Sequence, residues 1–502
     1  MRTVPLLALA FVAAGWAETE GPASPHPDIG LFFQAASPDE KVARAALARI
    51  ASRWRDGYAG LVIDLARFLP RASPLRPEDG PFDDAPSAES DSFRGGARPG
   101  PRRDPADVGP RPAGAIVRAR LIRFLEKQTR RSFGDDLGRW RRWLWTRPYD
   151  PHPDYAAFKA ALYGHVDPRM RDFFPEGGGP PRIRLDEVDW GGVGVNGIPP
   201  LDHPAHLPAA QARYLDDDDV VFGIALGGEA RAYPKRILAW HEMARDRLGG
   251  VELAVVFCTL CGTVIPYEAE VGGRRRTFGT SGLLYRSNKL MFDEESNSLW
   301  STVSGRPVIG PLSGQDLELT AHAVVTTRWS EWRDLHPETT VLSLETGYRR
   351  DYAEGAAYRD YFATDALMFG VPWTDGRLKN KDEVVTLLLR PAGAGPHAAR
   401  LPLAIAVRFL VRNPVHQLSY AGRELVVLTS ARGANRVYDA GGHRFLRLTA
   451  DGVQDADGRR WRIGEDALTS GDPAVPPRPR VAAGRAFWFG WYAQFPETRL
   501  IE

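Results

Sequence analysis

The spacing of apolar residues changes character twice along the chain. From Pro38 to Leu69, "PDEKVARAALARIASRWRDGYAGLVIDLARFL" sets apolar side chains at helical spacing, broken near Gly57 and Gly60. This predicts two short helices folded as a hairpin. "IVRARLIRFLEKQTRRSFGDDLGRWRRWLW" (116–145) returns to the same period, with Leu, Phe and Trp on one stripe. Between them, residues 70–113 are rich in Pro, Gly, Ser, Asp and Arg and hold too little apolar surface to order themselves, so they are expected to be a flexible linker. The helical pieces could pack as a small solenoid-like module, although two units are fewer than such arrays use. After "PEGGGPPR" (175–182), short β-branched runs alternate with Gly, Pro and Asp turns, and "IALGGEARAY" predicts a hairpin across Gly227 and Gly228. The expected class is α+β: helical segments at 18–69 and 114–178, then a β-rich domain over 183–501.

The β-rich part reads as two related units, about 218–344 and 382–501. "GGVELAVVF" followed by "VIPYE" is echoed by "AGRELVVLT" followed by "RVYD", and "RWSEWRDLHPETTVLS" by "AFWFGWYAQFPETRLIE". Trp300 then corresponds to Trp461, Trp332 to Trp491, Pro337 to Pro496 and Tyr267 to Tyr438. A duplicated unit with a pseudo-twofold is therefore expected. Residues kept in both halves are most simply fold determinants, and residues found in one half are freed from that role. Cys258 and Cys261 face Ser430 and Gly433, and "WHE" (240–242) has no counterpart near Phe409. Any chemistry is expected in the first half.

The opening residues "MRTVPLLALAFVAAGWAETEG" place Arg2 before an apolar run from Val4 to Ala14, with Gly15 and Ala17 as small residues ahead of a cleavage point. That layout predicts a secretory signal over 1–17 and a periplasmic or extracellular mature chain. No later run reaches the roughly 18 apolar residues that a membrane span needs. Apolar residues make up 43% and charged residues 25%, an ordinary globular composition. The 65 basic and 63 acidic residues nearly cancel, which argues against a nucleic-acid partner. A small-molecule or metal ligand is expected instead, and the sequence leaves protein partners open.

The ordered motifs "GIPPLDHP", "ARAYPKRILAWHE", "FCTLCGTVIPYE", "FGTSGLLYRSNKLMFDEESNSLW" and "GPLSG" resemble the bacterial family called domain of unknown function 3179, over roughly residues 186–501. Members of that family usually carry Pro where this chain has Thr259, and Asn where it has His203. The resemblance implies membership and no activity.

The two cysteines are the only ones in 502 residues, and they lie three apart in "FCTLCG". Such a turn points both sulfurs at one spot, and Gly262 permits the positive φ that closes it. A metal knuckle for zinc, copper or iron, a redox dithiol, and a static disulfide all fit the motif. A disulfide closing so small a loop would constrain the unfolded chain little. Redox pairs usually cap a helix, whereas "GTVIPYE" reads as a strand. Covalent haem is excluded, because Gly262 stands where a histidine would be required. His241 is the candidate third ligand, set against the ordinary reading of a core histidine bonded to backbone. His336, His203 and His206 are further candidate ligands, with turn and loop roles as the alternative. Glu242 is a candidate base, and Ser281, Tyr285 and Asp293 are candidate catalytic groups on a polar wall. "GTSGL" is not a nucleophile elbow, however, and no phosphate loop or dinucleotide fingerprint is present. The functional expectation is a metal-dependent activity or metal handling. A thiol–disulfide oxidoreductase and a non-catalytic scaffold are the alternatives.

Overall fold

The computed structural model describes residues 26–69, 113–395 and 397–502. The expected signal segment and all but the last residue of the expected linker lie outside these. Among the described residues, no helix is long and apolar enough to cross a membrane.

Helices Ile29–Ala35, Glu40–Ala51 and Ala59–Arg67 come first, then Ala113–Thr129, Leu137–Trp145 and Tyr155–Gly164. Asp39 caps its helix by accepting from the N–H groups of Lys41 and Val42, and Asp136 caps another through Arg139. The expected helix over 116–145 is broken where Gly134 takes a φ of 57°. These helices do not close a core of their own. Phe32, Ile50, Leu121, Trp140 and Phe158 join Leu283, Leu290, Phe292 and Leu299 in one apolar cluster. The helical region is thus packed on the face of a sheet, which explains why it needs no further repeats.

That sheet runs Val188–Trp190, Phe278–Tyr285, Asn288–Asp293, Leu299–Ser301 and Arg306–Ile309, each antiparallel to the next. A second sheet orders Val325–Arg328, Val220–Leu226, Glu229–Pro234, Thr340–Leu342 and His206–Pro208. The expected hairpin is its centre, with Leu226 opposite Glu229 across the two glycines. A third carries Leu201–Asp202, Met243–Leu248, Val251–Cys258 and Thr263–Glu268.

The same orders of pairing recur towards the C-terminus. Gly484–Phe487, Glu383–Leu389, Leu401–Ala406 and Arg499–Ile501 repeat the second sheet, including the parallel pairing of its late strand. Val415–Tyr420, Arg423–Thr429 and Asn435–Asp439 repeat the third. Trp332 Nε1 donates to Thr339 Oγ1 at 2.9 Å, and Trp491 Nε1 to Thr498 Oγ1 at 2.9 Å. Trp300 and Trp461 donate to Asp293 and Asp455 at 2.8 and 2.9 Å. Gly223 makes room for the first of these rings: a Cβ there would lie 2.2 Å from Trp332.

Candidate functional site

The strand Val251–Cys258 is an apolar run buried over its last six residues, and it ends at the cysteine turn. The N–H of Cys261 donates to the Cys258 carbonyl at 3.2 Å, and Gly262 then turns the chain at a φ of 61°. Both cysteines are free thiols and both are buried, so the static disulfide is absent. The second half of the domain closes over them. The N–H of Phe487 donates to the Cys261 carbonyl at 2.7 Å, and Gly490 is so close that a Cβ would sit 3.1 Å from Cys261 Sγ. The segment between the halves covers another side: Tyr361 and Val371, with Tyr358, Phe362 and Met368, pack into the cluster that holds both sulfurs. Tyr361 Oη donates to the Leu260 carbonyl at 2.7 Å.

The hairpin Phe278–Tyr285 and Asn288–Asp293 supplies the remaining wall. Its two-residue turn is Arg286 and Ser287, at φ of 50° and 64°. Such turns favour Asn-Gly, because a β-carbon is strained at positive φ. Here the side chains and carbonyls have uses. Arg286 pairs with Glu187 and lies over the rings of Tyr285 and Trp373, while the Ser287 carbonyl accepts from Cys261 Sγ at 3.2 Å. Lys289, next but one, sends Nζ to the Glu242 carbonyl at 2.7 Å and to its carboxylate at 3.6 Å. Glu242 is itself buried and left-handed, at a φ of 56°. Thr259 Oγ1 and Ser287 Oγ are buried without a hydrogen-bond partner.

The two thiols differ. Burial pushes the Cys258 thiol up, but donation from Cys261 and from the backbone N–H groups of Lys289 and Cys261 outweighs it, and Cys258 is held below the usual thiol range. Burial and the hydrogen bond and charge of Cys258 push Cys261 well above it. Burial also raises the Glu242 carboxyl against the pull of Lys289, and lowers the Lys289 ammonium against the pull of Glu242 and Cys258. Of the pair, Cys258 is therefore the thiol that loses its proton first.

His241 does not join the cysteines. Its Nδ1 donates to the Pro199 carbonyl at 2.9 Å, and Nε2 faces Tyr352 Oη at 2.6 Å. Burial brings the imidazole down to about 4, so it is neutral, and Nε2 accepts from the tyrosine. Its lone pair is thereby committed. The other expected residues disperse as well. His203 is exposed at a φ of 42°; His206 pairs with Asp246 at 3.0 Å; His336 lies tilted against the Trp332 ring and reaches towards Glu465 at 3.4 Å. Ser281 donates to the Leu290 carbonyl at 2.6 Å within the hairpin bulge, and Tyr285 belongs to the apolar cluster under the helices. Asp293 binds Arg276, Ser296 and Trp300, a turn device that Asp455 repeats. Of the expected residues, then, Cys258, Cys261 and Glu242 are brought together.

Lys289, Met368 and Gly490 were not foreseen. The lysine left one trace, a lone cation in the otherwise apolar core of the strand "NKLMFD". Among the described residues, the one trio of His, Cys, Asp or Glu whose ligand atoms converge within 4.8 Å is His443, Asp455 and Asp457. Asp455 there already serves Trp461 and the N–H groups of Asp457 and Arg459.

The family model described as "Protein of unknown function (DUF3179)" matches residues 195–498, and the chain belongs to that family. No curated protein and no solved structure matches.

Proposed function

We propose that Cys258 and Cys261 form a thiolate site for a soft transition-metal ion, used for metal handling or for a reaction at that ion. One observation carries this reading: two unbonded, wholly buried thiols lie three residues apart on a single hydrogen-bonded turn. Buried structural cysteines do not need such an arrangement, and thiolates are the ligands that zinc, copper(I) and iron–sulfur chemistry use. Binding releases the thiol protons, so two thiols and one ion give a dithiolate complex and two protons. Protein purified under mild reductant should hold about one ion per chain and hide its thiols from a maleimide until a chelator is added. A chain without metal whose thiols label at once defeats the reading.

The opposite acidities of the two thiols favour a second reading, a redox dithiol. In that reading the Cys258 thiolate attacks a substrate disulfide and Cys261 resolves the mixed disulfide, giving Cys258–Cys261 and two substrate thiols. Reversible oxidation by a small disulfide, with no bound metal, would establish it in place of the first.

Two wider readings accompany the site. The recurrence of sheet orders and of the Trp–Thr and Trp–Asp hydrogen bonds supports descent of the two β-rich units from one duplicated ancestor. The charge and apolar layout of residues 1–17 supports export to the periplasm or the medium.

A further inference from the structure

Resting on the metal reading, we infer that the ion is copper(I), bound by Cys258 and Cys261, with Met368, which packs against the same cluster, as the candidate further soft donor. Structural zinc takes four ligands in a tetrahedron, and catalytic zinc takes three protein ligands and a water. The site does not offer them. Among the described residues, no third His, Cys, Asp or Glu atom converges with the two sulfurs within 4.8 Å. The imidazole nearest in sequence spends both nitrogens on Pro199 and Tyr352.

Water is a poor substitute for the missing ligands. Cys258 and Cys261 are 1% and 0% exposed, and Leu260, Leu284, Phe487 and Phe489 pack around them, with Thr259, Ser287, Glu242 and Lys289 the polar groups beside the turn. The Glu242 carboxylate is held by Lys289, and the sulfurs are closed to bulk solvent. Gly490 stands just far enough off for the Cys261 sulfur, which keeps that side tight.

Copper(I) makes smaller demands. It is a soft, closed-shell, monovalent ion that two thiolates satisfy in a near-linear arrangement, and a thioether suits it where zinc prefers nitrogen or oxygen. Met368 is the one other sulfur packed against this cluster among the described residues. The complex of two thiolates and one monovalent cation carries a single negative charge. Lys289 Nζ lies 3.6 Å from the Glu242 carboxylate beside the same turn, so these two charges offset one another and leave the complex its single charge.

The test uses the full-length protein, reduced and loaded without oxygen with copper(I) or with zinc(II), then challenged with a chelator selective for each. Native mass spectrometry counts the ions that remain. We expect about one copper per chain, a thiolate-to-copper absorption in the near ultraviolet, and loss of zinc. Cys258→Ser with Cys261→Ser should hold no copper, and Met368→Leu should release it about tenfold more readily. The parent's absorption spectrum decides the matter even if the serine variant does not fold. Retention of one zinc in preference to copper would overturn the copper assignment and leave the metal site standing. Retention of neither, with thiols that label freely, would overturn both.

Discussion

Each half of the β-rich domain lays a tight turn against the other half's helix, and the two meetings are built from different materials. Backbone pairing sets the equivalences. Phe257 donates to the Glu242 carbonyl and Thr429 to the Pro414 carbonyl, which places Cys258 opposite Ser430 and Cys261 opposite Gly433. Trp329 and Trp488 likewise open the two helices, so Glu331 matches Gly490. At the second meeting Arg432 reaches Ser330, and Arg436 joins Glu465 at 2.7 Å and Glu331 at 3.9 Å. Although burial opposes ionisation, Arg436 and Arg480 hold the Glu465 carboxyl far below its usual range. Those buried groups are paired. At the first meeting the glutamate is a glycine, the arginines are gone, and the free space holds two thiols.

The hairpins differ in the same direction. Phe278–Tyr285 and Asn288–Asp293 have eight and six residues, against five and four in Phe445–Thr449 and Gly452–Asp455. The longer hairpin is what carries Ser287 and Lys289 to the cysteines. Similar strand orders thus frame an ionic contact in one place and a pair of buried thiols in the other, and the two places differ in a side chain and in the length of the hairpin strands.

The largest effect that could break this comparison comes from its shared anchors. Trp332→Ala and Trp491→Ala each remove a buried ring and should each lose about 3–5 kcal/mol in denaturant unfolding. A near-neutral result at either would show that the two halves are not held in the same way.

Acid should separate them next. His241 is neutral and brought down to about 4, whereas Asn413 occupies its place in the other half. The unfolded chain binds a proton near pH 6.5 that the folded chain refuses until about 4, so stability falls as pH drops through that window. The full difference is about 3 kcal/mol. His241→Gln should flatten that part of the pH profile relative to the parent, and an unchanged slope would show that the imidazole is not buried neutral.

The smallest effect sharpens the reading of the long hairpin. Ser287→Gly relieves a β-carbon at a φ of 64° and removes a hydroxyl that is buried without a partner. It should gain about 1 kcal/mol and leave metal content unchanged, because Cys261 bonds the Ser287 backbone carbonyl. A loss of stability or of metal would mean that the hydroxyl has a role in the pocket.

The hairpin at Gly227 and Gly228, the tryptophan anchors and the cysteine turn were legible because each depends on local spacing or on the match between halves. Lys289 was not, since its place depends on how far a hairpin extends before it turns. His241 has a different partner from the one its spacing suggests, for an instructive reason. Its absence from the second half points to chemistry in the sequence, yet in the structure it bonds Tyr352, in the segment that joins the halves. That segment occurs once, so side chains that hold it have no counterpart and look unique without being reactive. Met368 lies in the same segment and was invisible for the same reason. The family match begins at residue 195, after the helices, and so could not reveal that they share a core with the sheet behind the site.

The central claim is that one turn of one half binds metal through sulfur. X-ray absorption at the metal edge, on full-length protein purified without chelators, tests it most directly. The account predicts a shell made of sulfur alone, which disappears in the Cys258→Ser, Cys261→Ser variant and persists in His241→Gln. Imidazole scattering that is lost with His241, or protein that carries no metal while both thiols remain open to labelling, would contradict it.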